Sequence, residues 1–248
     1  MILQAFDESE PIFGPGDFFG PQQHLCDLCI LTFSHVIQEA LLRRFPLRRA
    51  ASVSSAGGYV PIYLFEYAGK TLAVCTTGIG ATKTGTDLLE INWLIGATKF
   101  IMFGSAGSLD RAAAEGKYVI PSEAYRDEGL SYHYAPPADY IRIRNADRLA
   151  EIFSELGLPW VKGRVWTTDA VYRETRNKVK ARQAEGCIAV EMELAGVQAV
   201  CDFHGFELWD FLVTGDVLDA PQYDPSGLPG ANHDLDKLWI ALEIAKRI

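Results

Sequence analysis

No stretch of this sequence reads as a membrane span, because no apolar run approaches the roughly 20 residues that a transmembrane helix needs. A secretory leader is equally hard to find. The opening MILQAFDESEPIFGPGDFFG carries acids and prolines where a leader has a basic and then an apolar stretch. Positive charge is in deficit too. Lys and Arg number 23 against 32 Asp and Glu, giving a net charge of −9. That balance argues against a general affinity for nucleic acid or an anionic membrane surface. Cysteine is sparse: Cys26, Cys29, Cys75, Cys187 and Cys201 make an odd set, mostly within apolar runs, and read as reduced thiols. A cytosolic protein is expected. Repeats, low-complexity tracts and long charge runs are also missing, which excludes solenoids and disordered tails.

The only metal-like spacing is Cys26-Asp27-Leu28-Cys29, and no second pair or His pair follows it. Two thiols on opposite sides of a buried strand are the plainer reading, and no metal or organic cofactor is expected.

What is present is an ordinary packed chain. Of its 248 residues 48% are hydrophobic and 22% charged, enough for a substantial core in one large domain. Residues 1–22, rich in Pro, Gly, Phe and Asp, read as an extended N-terminal arm, and residues 23–248 as the domain. The arm's aromatic content predicts that it packs on something, a neighbouring subunit being the natural candidate, so a homo-oligomer is expected.

Apolar runs alternate with helical patterns along the domain. Leu25 to Phe33 leads through Ser34, a predicted N-cap, into a helix ending near Arg44. Tyr59–Tyr67, Thr71–Thr76, Lys99–Phe103, Val161–Thr167 and Leu208–Thr214 read as strands. Helices are predicted over 82–94, 146–156, 174–184, 193–204 and 235–248. The alternation predicts an α/β fold: a single-domain, three-layer arrangement with a central mixed, largely parallel sheet flanked by helices. Ligands bind beyond the carboxyl ends of such strands. Here those ends read Thr77–Gly80, Gly104–Gly107, Thr167–Asp169 and Thr214–Asp216, and they should converge.

The turn Thr77-Gly78-Ile79-Gly80-Ala81-Thr82-Lys83 has Lys where a dinucleotide fingerprint needs its last Gly, and Thr where a phosphate loop needs Gly before Lys. A nicotinamide dehydrogenase is therefore a distant reading. Gly104-Ser105-Ala106-Gly107 allows close backbone approach and adds a hydroxyl; a purely structural turn is its alternative. Glu191-Met192-Glu193 follows an apolar strand at a helix start, where acids suit the helix dipole but also suit sugar hydroxyls. Asp216 ends an apolar strand, as a turn residue or as a general acid tuned by partial burial.

Taken in order, TTGIGATKTG, FIMFGSAGSLD, YRDEGLSYHY, VWTTDAVY, AVEMELAG and VTGDVLD resemble the nucleoside phosphorylase and nucleosidase superfamily over about residues 60 to 217. The resemblance implies cleavage of the N-glycosidic bond of a nucleoside. Glu193 with Met192 would bind the ribose hydroxyls, and Glu191 would lie close to the ribose. Asp216 would protonate the leaving purine at N7. Ser105 and the backbone of Gly80 and Gly104 would face the nucleophile. Val171 and Tyr172 stand where the family places base-stacking residues.

The pattern also departs from the family. Phosphorylases carry an arginine before the glycine-serine loop, where this chain has Met102, and another after the first strand, where Thr32 to Ile37 has none. A phosphate dianion without cations is poorly held. Nucleosidases instead use a Glu near the first helix to activate water, for which Gln38 and Glu39 are the nearest candidates. His35 reads as an anion ligand, a water activator or a packed turn residue. Phosphate thus stays a candidate co-substrate beside water. The pyrimidine branch's Gln-x-Arg is not matched by Arg173-Glu174-Thr175-Arg176, so purine is favoured. The alternative to an enzyme is a nucleoside-binding protein of the same fold without catalysis, and retention of Glu193 and Asp216 speaks against it.

Overall fold

The computed structural model describes residues 2–55, 58–219 and 222–248. After the arm, with its short helix Gly16–Phe19 (α1), the strand Leu28–Thr32 (β1) is buried along its whole length. Ser34 Oγ then accepts from the Ile37 N–H at 3.3 Å and caps His35–Arg44 (α2), as its position predicts. A meander follows: Arg48–Ser55 (β2), Gly58–Tyr67 (β3) and Lys70–Thr76 (β4). Ala81–Ile95 (α3) leads into Lys99–Ser108 (β5), Arg111–Ala114 (α4) and Tyr118–Asp127 (β6). Ser131–Tyr134 (α5), Tyr140–Arg142 (β7), Ala146–Glu155 (α6) and Trp160–Thr168 (β8) come next. Then come Arg176–Ala184 (α7), Cys187–Glu191 (β9), Leu194–His204 (α8) and Glu207–Val217 (β10). Leu228–His233 (α9) and Asp236–Ala245 (α10) close the chain.

The class is α/β, with one mixed ten-stranded sheet flanked by helices. Two parallel runs form its middle, β4–β1–β5–β10 and β6–β8–β9. They are joined antiparallel twice, by β10 to β6 and by β5 to β9. Strands β5, β10, β6, β8 and β9 therefore close into a ring, and β1, β4, β3 and β2 extend from β5 as an open wing. Helices α2 and α10 pack on the strands β1, β4 and β5, and α3 packs on α8.

Two local features make the ring. Gly104–Gly107, expected as a loop, continues β5, whose last residues pair with β9. A Cβ at Gly107 would lie 2.5 Å from Leu218 Cδ1 and 3.0 Å from Val190 Cγ1, so only glycine lets the strands approach there. In β10 the register slips between Thr214 and Asp216. The unpaired Gly215 is a bulge, and it aims the following residue off the ladder. Asp216 thus lies inside a longer strand and not after its end.

Strand β6 runs unbroken from Tyr118 to Asp127 through Pro121, where its register with β8 shifts. Cys26 precedes β1 instead of lying in it. All five cysteines are free and buried, and burial pushes the Cys26 thiol up to about 11, which makes it a poor nucleophile. The arm lies along the surface: Gly16 sits against the Trp93 ring, and the Trp93 indole N–H donates to the Gly20 carbonyl at 2.7 Å. Its Ile12, Phe13 and Phe18 remain exposed. Among the described residues no helix is long and apolar enough to cross a membrane.

Candidate active site

Of the four strand ends expected to converge, Gly104–Gly107 lines a cavity of about 310 Å³ together with Ile79 and Asp216 from two others, while Thr167–Asp169 does not reach it; the size is within the usual range for small-molecule sites. Gly104, Ser105, Met192, Glu193, Val171 and Asp216 all line it. Two acids stand on different walls, one from the β9–α8 junction and one from the β10 bulge.

Glu191 and Glu193 divide the work at the start of α8. Glu191 is fully enclosed. Its Oε1 accepts the Thr167 hydroxyl, and its Oε2 accepts the N–H groups of Glu193 and Leu194, each at 2.7 Å. Its side chain thus satisfies the N–H groups at the start of α8, whose N-cap residue is Glu193, and its acceptors are occupied. Thr167 Oγ1 in turn accepts the Ala195 N–H at 3.0 Å. The sequence placed Glu191 beside the ribose; the structure places it on the wall but commits it to the helix. Glu193 accepts the Gly80 N–H at 2.6 Å through Oε1, and its carboxyl lies on the cavity wall. Burial raises the pKa of both carboxyls, and the charge of Glu193 adds to the effect at Glu191.

Gly80 is a correction of the same kind. Its N–H does not face the cavity but holds Glu193, and the Ala81 N–H donates to the Met192 carbonyl at 2.9 Å. The glycine-rich turn positions the acid instead of binding the nucleophile. Gly80 and Ile79 border a neighbouring groove with Lys83 and Asp169.

Asp216 is partly buried, which raises its pKa, while a hydrogen bond from the Tyr223 hydroxyl opposes the shift. Glu174 stands close enough for the Asp216 charge, with burial as the larger cause, to push its pKa up to about 7. Tyr172 is a second correction: it is 97% exposed and does not line the cavity, whereas Val171 does. The two share one 3-10 turn, Val171–Arg173, so their side chains diverge.

At the other wall, Ser105 Oγ donates to Asn232 Oδ1, and Ser34 Oγ lies 2.8 Å from His233 Nδ1. The His35 ring meets the His233 ring edge-on at 5.5 Å, outside the lining. Glu39 pairs with Arg43 on the solvent side of α2, and neither it nor Gln38 lines the cavity. Met102 is buried in the core. Among the described residues no arginine lines the cavity; its one lysine is Lys237. Sequence reasoning missed Glu174, Tyr223, Asn232, His233 and Lys237. A signal existed only for Lys237, which interrupts an apolar stripe with Ala241 and Ile244 along α10.

A profile of the phosphorylase superfamily matches residues 32–234, and the chain belongs to that superfamily of nucleoside phosphorylases and nucleosidases. It is 28% identical over 158 residues to a DeoD-type purine nucleoside phosphorylase of Exiguobacterium, covering 61% of this chain and 65% of that relative. It is also 28% identical over 191 residues to a DeoD-type purine nucleoside phosphorylase of Caldanaerobacter subterraneus, covering 72% of this chain and 78% of the relative. Its match to the Exiguobacterium relative spans just under two thirds of that protein's length. In fold it is similar to a futalosine hydrolase mutant of Helicobacter pylori, with a TM-score of 0.71 at 17% identity over 90% of this chain and 100% of that one.

Proposed function

We propose that this protein cleaves the N-glycosidic bond of a purine nucleoside. The observation that carries the reading is the placement of two carboxyls raised by burial, Glu193 and Asp216, on the walls of one cavity. Glu193 accepts hydrogen bonds from the ribose hydroxyls, with Met192 against the sugar face. Val171 packs on the base. As the C1′–N9 bond breaks, its electron pair goes to the base, and Asp216 delivers a proton to N7 so that the base leaves neutral. An oxygen nucleophile bonds to C1′ as the sugar passes through an oxocarbenium-like state. When the nucleophile is water, it releases the proton that restores Asp216. Phosphorolysis and hydrolysis use the same bond cleavage and differ in what enters at the Ser105 wall. A site for catalysis needs the acid that a site for binding alone would not, which favours an enzyme over a non-catalytic binder.

A place in purine salvage within the cytosol follows from this reading, and five buried thiols suit a reducing compartment. The exposed Ile12, Phe13 and Phe18 of the arm support a homo-oligomer, checked by mass from light scattering at micromolar concentration. The deciding assay incubates a panel of purine and pyrimidine nucleosides with the protein, with and without phosphate, and measures free base. Base released from purine nucleosides is expected; no base from any nucleoside under either condition sinks the proposal.

A further inference from the structure

Lys237 is the buried group for which this reaction scheme has no use. It lies in α10 on the apolar stripe and is only 1% exposed. Its ammonium has three donors, and the structure gives Nζ one acceptor, the Ala231 carbonyl at 2.5 Å. The Phe103 ring lies beneath it, with Nζ 6.0 Å from the centroid. Among the described residues it forms no ion pair, and the Asp234 charge supports it only from a distance. A buried cation without a counter-ion is costly, and burial pulls this one down to about 8. Yet Lys237 faces a ligand cavity and not a dry core. The missing partner therefore has a route in.

Its surroundings say what that partner is. Phe103, Ser105 and Gly107 follow one another on one face of β5. Asp216 pairs with Gly107, while Lys237 lies over Phe103, so the two occupy ends of the cavity roughly 13 Å apart along the strand. Near Lys237 the lining carries polar hydrogen-bonding groups: the Ser105 hydroxyl, the Asn232 amide and the His233 imidazole, all in hydrogen-bond contact with neighbours they can exchange for a ligand.

We propose that Lys237, with Ser105, Asn232 and His233, forms an oxyanion subsite at the end of the cavity away from Asp216, taking either inorganic phosphate or an anionic group carried by the nucleoside, such as a 5′-phosphate. This deepens the function proposed above and assigns the cationic role to a lysine of the last helix. The competing reading is that Lys237 only pins the end of α9 through the Ala231 carbonyl.

The test titrates the full chain calorimetrically, in a phosphate-free buffer, with inorganic phosphate and separately with adenosine 5′-monophosphate. Lys237→Met and Lys237→Arg are run beside it, and base release is followed from adenosine with and without phosphate and from the monophosphate. At least one anion is expected to bind, with affinity falling about 10-fold or more in Lys237→Met and partly kept in Lys237→Arg. Phosphate-dependent release from adenosine identifies free phosphate as the occupant; phosphate-independent release from the monophosphate identifies the substituent. If neither anion binds, or if folded Lys237→Met binds as tightly as the parent, the subsite is overturned. Should Lys237→Met not fold, Ser105→Ala leaves α10 untouched and is expected to weaken the same anion several-fold; unchanged affinity overturns the proposal. Anion binding without base release from any nucleoside refutes the function and leaves the subsite standing. Base release without anion binding does the reverse.

Discussion

Asp216 owes its aim to one unpaired residue, the bulged Gly215, against which Ala231 and Leu228 pack so closely that a Cβ there would meet them at 2.9 Å. Turned into the cavity, it is partly desolvated and keeps its proton at higher pH than an exposed aspartate. Asp216→Asn keeps size and can donate a hydrogen bond but cannot transfer a proton. Turnover on a purine nucleoside is expected to fall roughly 10²–10⁴-fold, and far less on a 7-methylated purine nucleoside, whose base leaves without protonation. Steady-state rates on the two substrates decide it, since equal losses point to a structural aspartate. Glu193→Ala should weaken nucleoside binding by about 1.5–3 kcal/mol for each charge-assisted bond lost, with the fold intact by circular dichroism. Calorimetric affinity unchanged in that variant removes Glu193 as the sugar ligand. Both acids were legible because each follows an apolar run in the sequence, although Asp216 proves to lie within β10 and Glu193 at the start of α8. The division between Glu191 and Glu193 was not, since a cap and a ligand look alike until the donors around each are counted. Lys237 had a signal, a charge within the apolar stripe of the last helix, but its distance along the chain from any strand end left that signal unconnected to the site.

Among the elements, α3 and α8 cross at two glycines that read in sequence only as small residues. A Cβ on Gly196 would stand 2.7 Å from Ala81 Cβ and 3.2 Å from Leu130 Cβ, and one on Gly85 would stand 2.6 Å from Leu130 Cδ2. Ala81 has no rotamer with which to yield, and its N–H is tied to the Met192 carbonyl beside the Gly80–Glu193 bond. Gly196→Ala is therefore expected to cost about 1–3 kcal/mol of stability. It should also weaken nucleoside binding, because the helix must shift at the junction that holds Glu193. A denaturation midpoint and affinity both equal to the parent's contradict the close crossing. The helix after β1 was readable from its cap, Ser34, and the structure adds Gly96 and Gly205 in the left-handed region at the ends of α3 and α8. The edge strand β2, RRAASVSS, was not, because its half-exposed, small and charged residues lack the alternation that marks a strand. The Gly104–Gly107 stretch was misread as a loop because glycine signals a turn locally, whereas ring closure needs it within a strand.

For the molecule as a whole, ring closure gathers acids that the sequence spreads over more than forty residues, and the fold class was legible while this closure was not, since pairing of β5 with both β9 and β10 leaves no local mark. The gathering has a thermodynamic consequence. Burial, the leading cause in each case, raises the carboxyls of Glu174, Glu191, Glu193, Asp210 and Asp216, with Glu174 reaching about 7. In the unfolded chain they titrate near about 4. A carboxyl with the higher pKa in the folded state holds its proton more tightly there. Its contribution is fully present below the unfolded value and is lost as pH rises through the folded one. The exposed carboxylates whose pKa is lowered, Glu115 and Asp147 among them, act in the opposite sense but below their ordinary values of 4.5 and 3.8. Burial lowers His204, which opposes the trend within the window as one group against several. Lys237, pulled down to about 8, acts at higher pH. The ligand-free protein is therefore expected to be more stable near pH 5 than near pH 7.5, by urea denaturation at matched ionic strength. Glu174→Gln, which cannot titrate, should flatten that decline, and bound nucleoside should reduce it by supplying hydroxyl donors to Glu193. A parent that gains stability from about pH 5 to 7.5, or a Glu174→Gln profile parallel to the parent's, means that the cavity acids do not carry the burial penalty assigned to them.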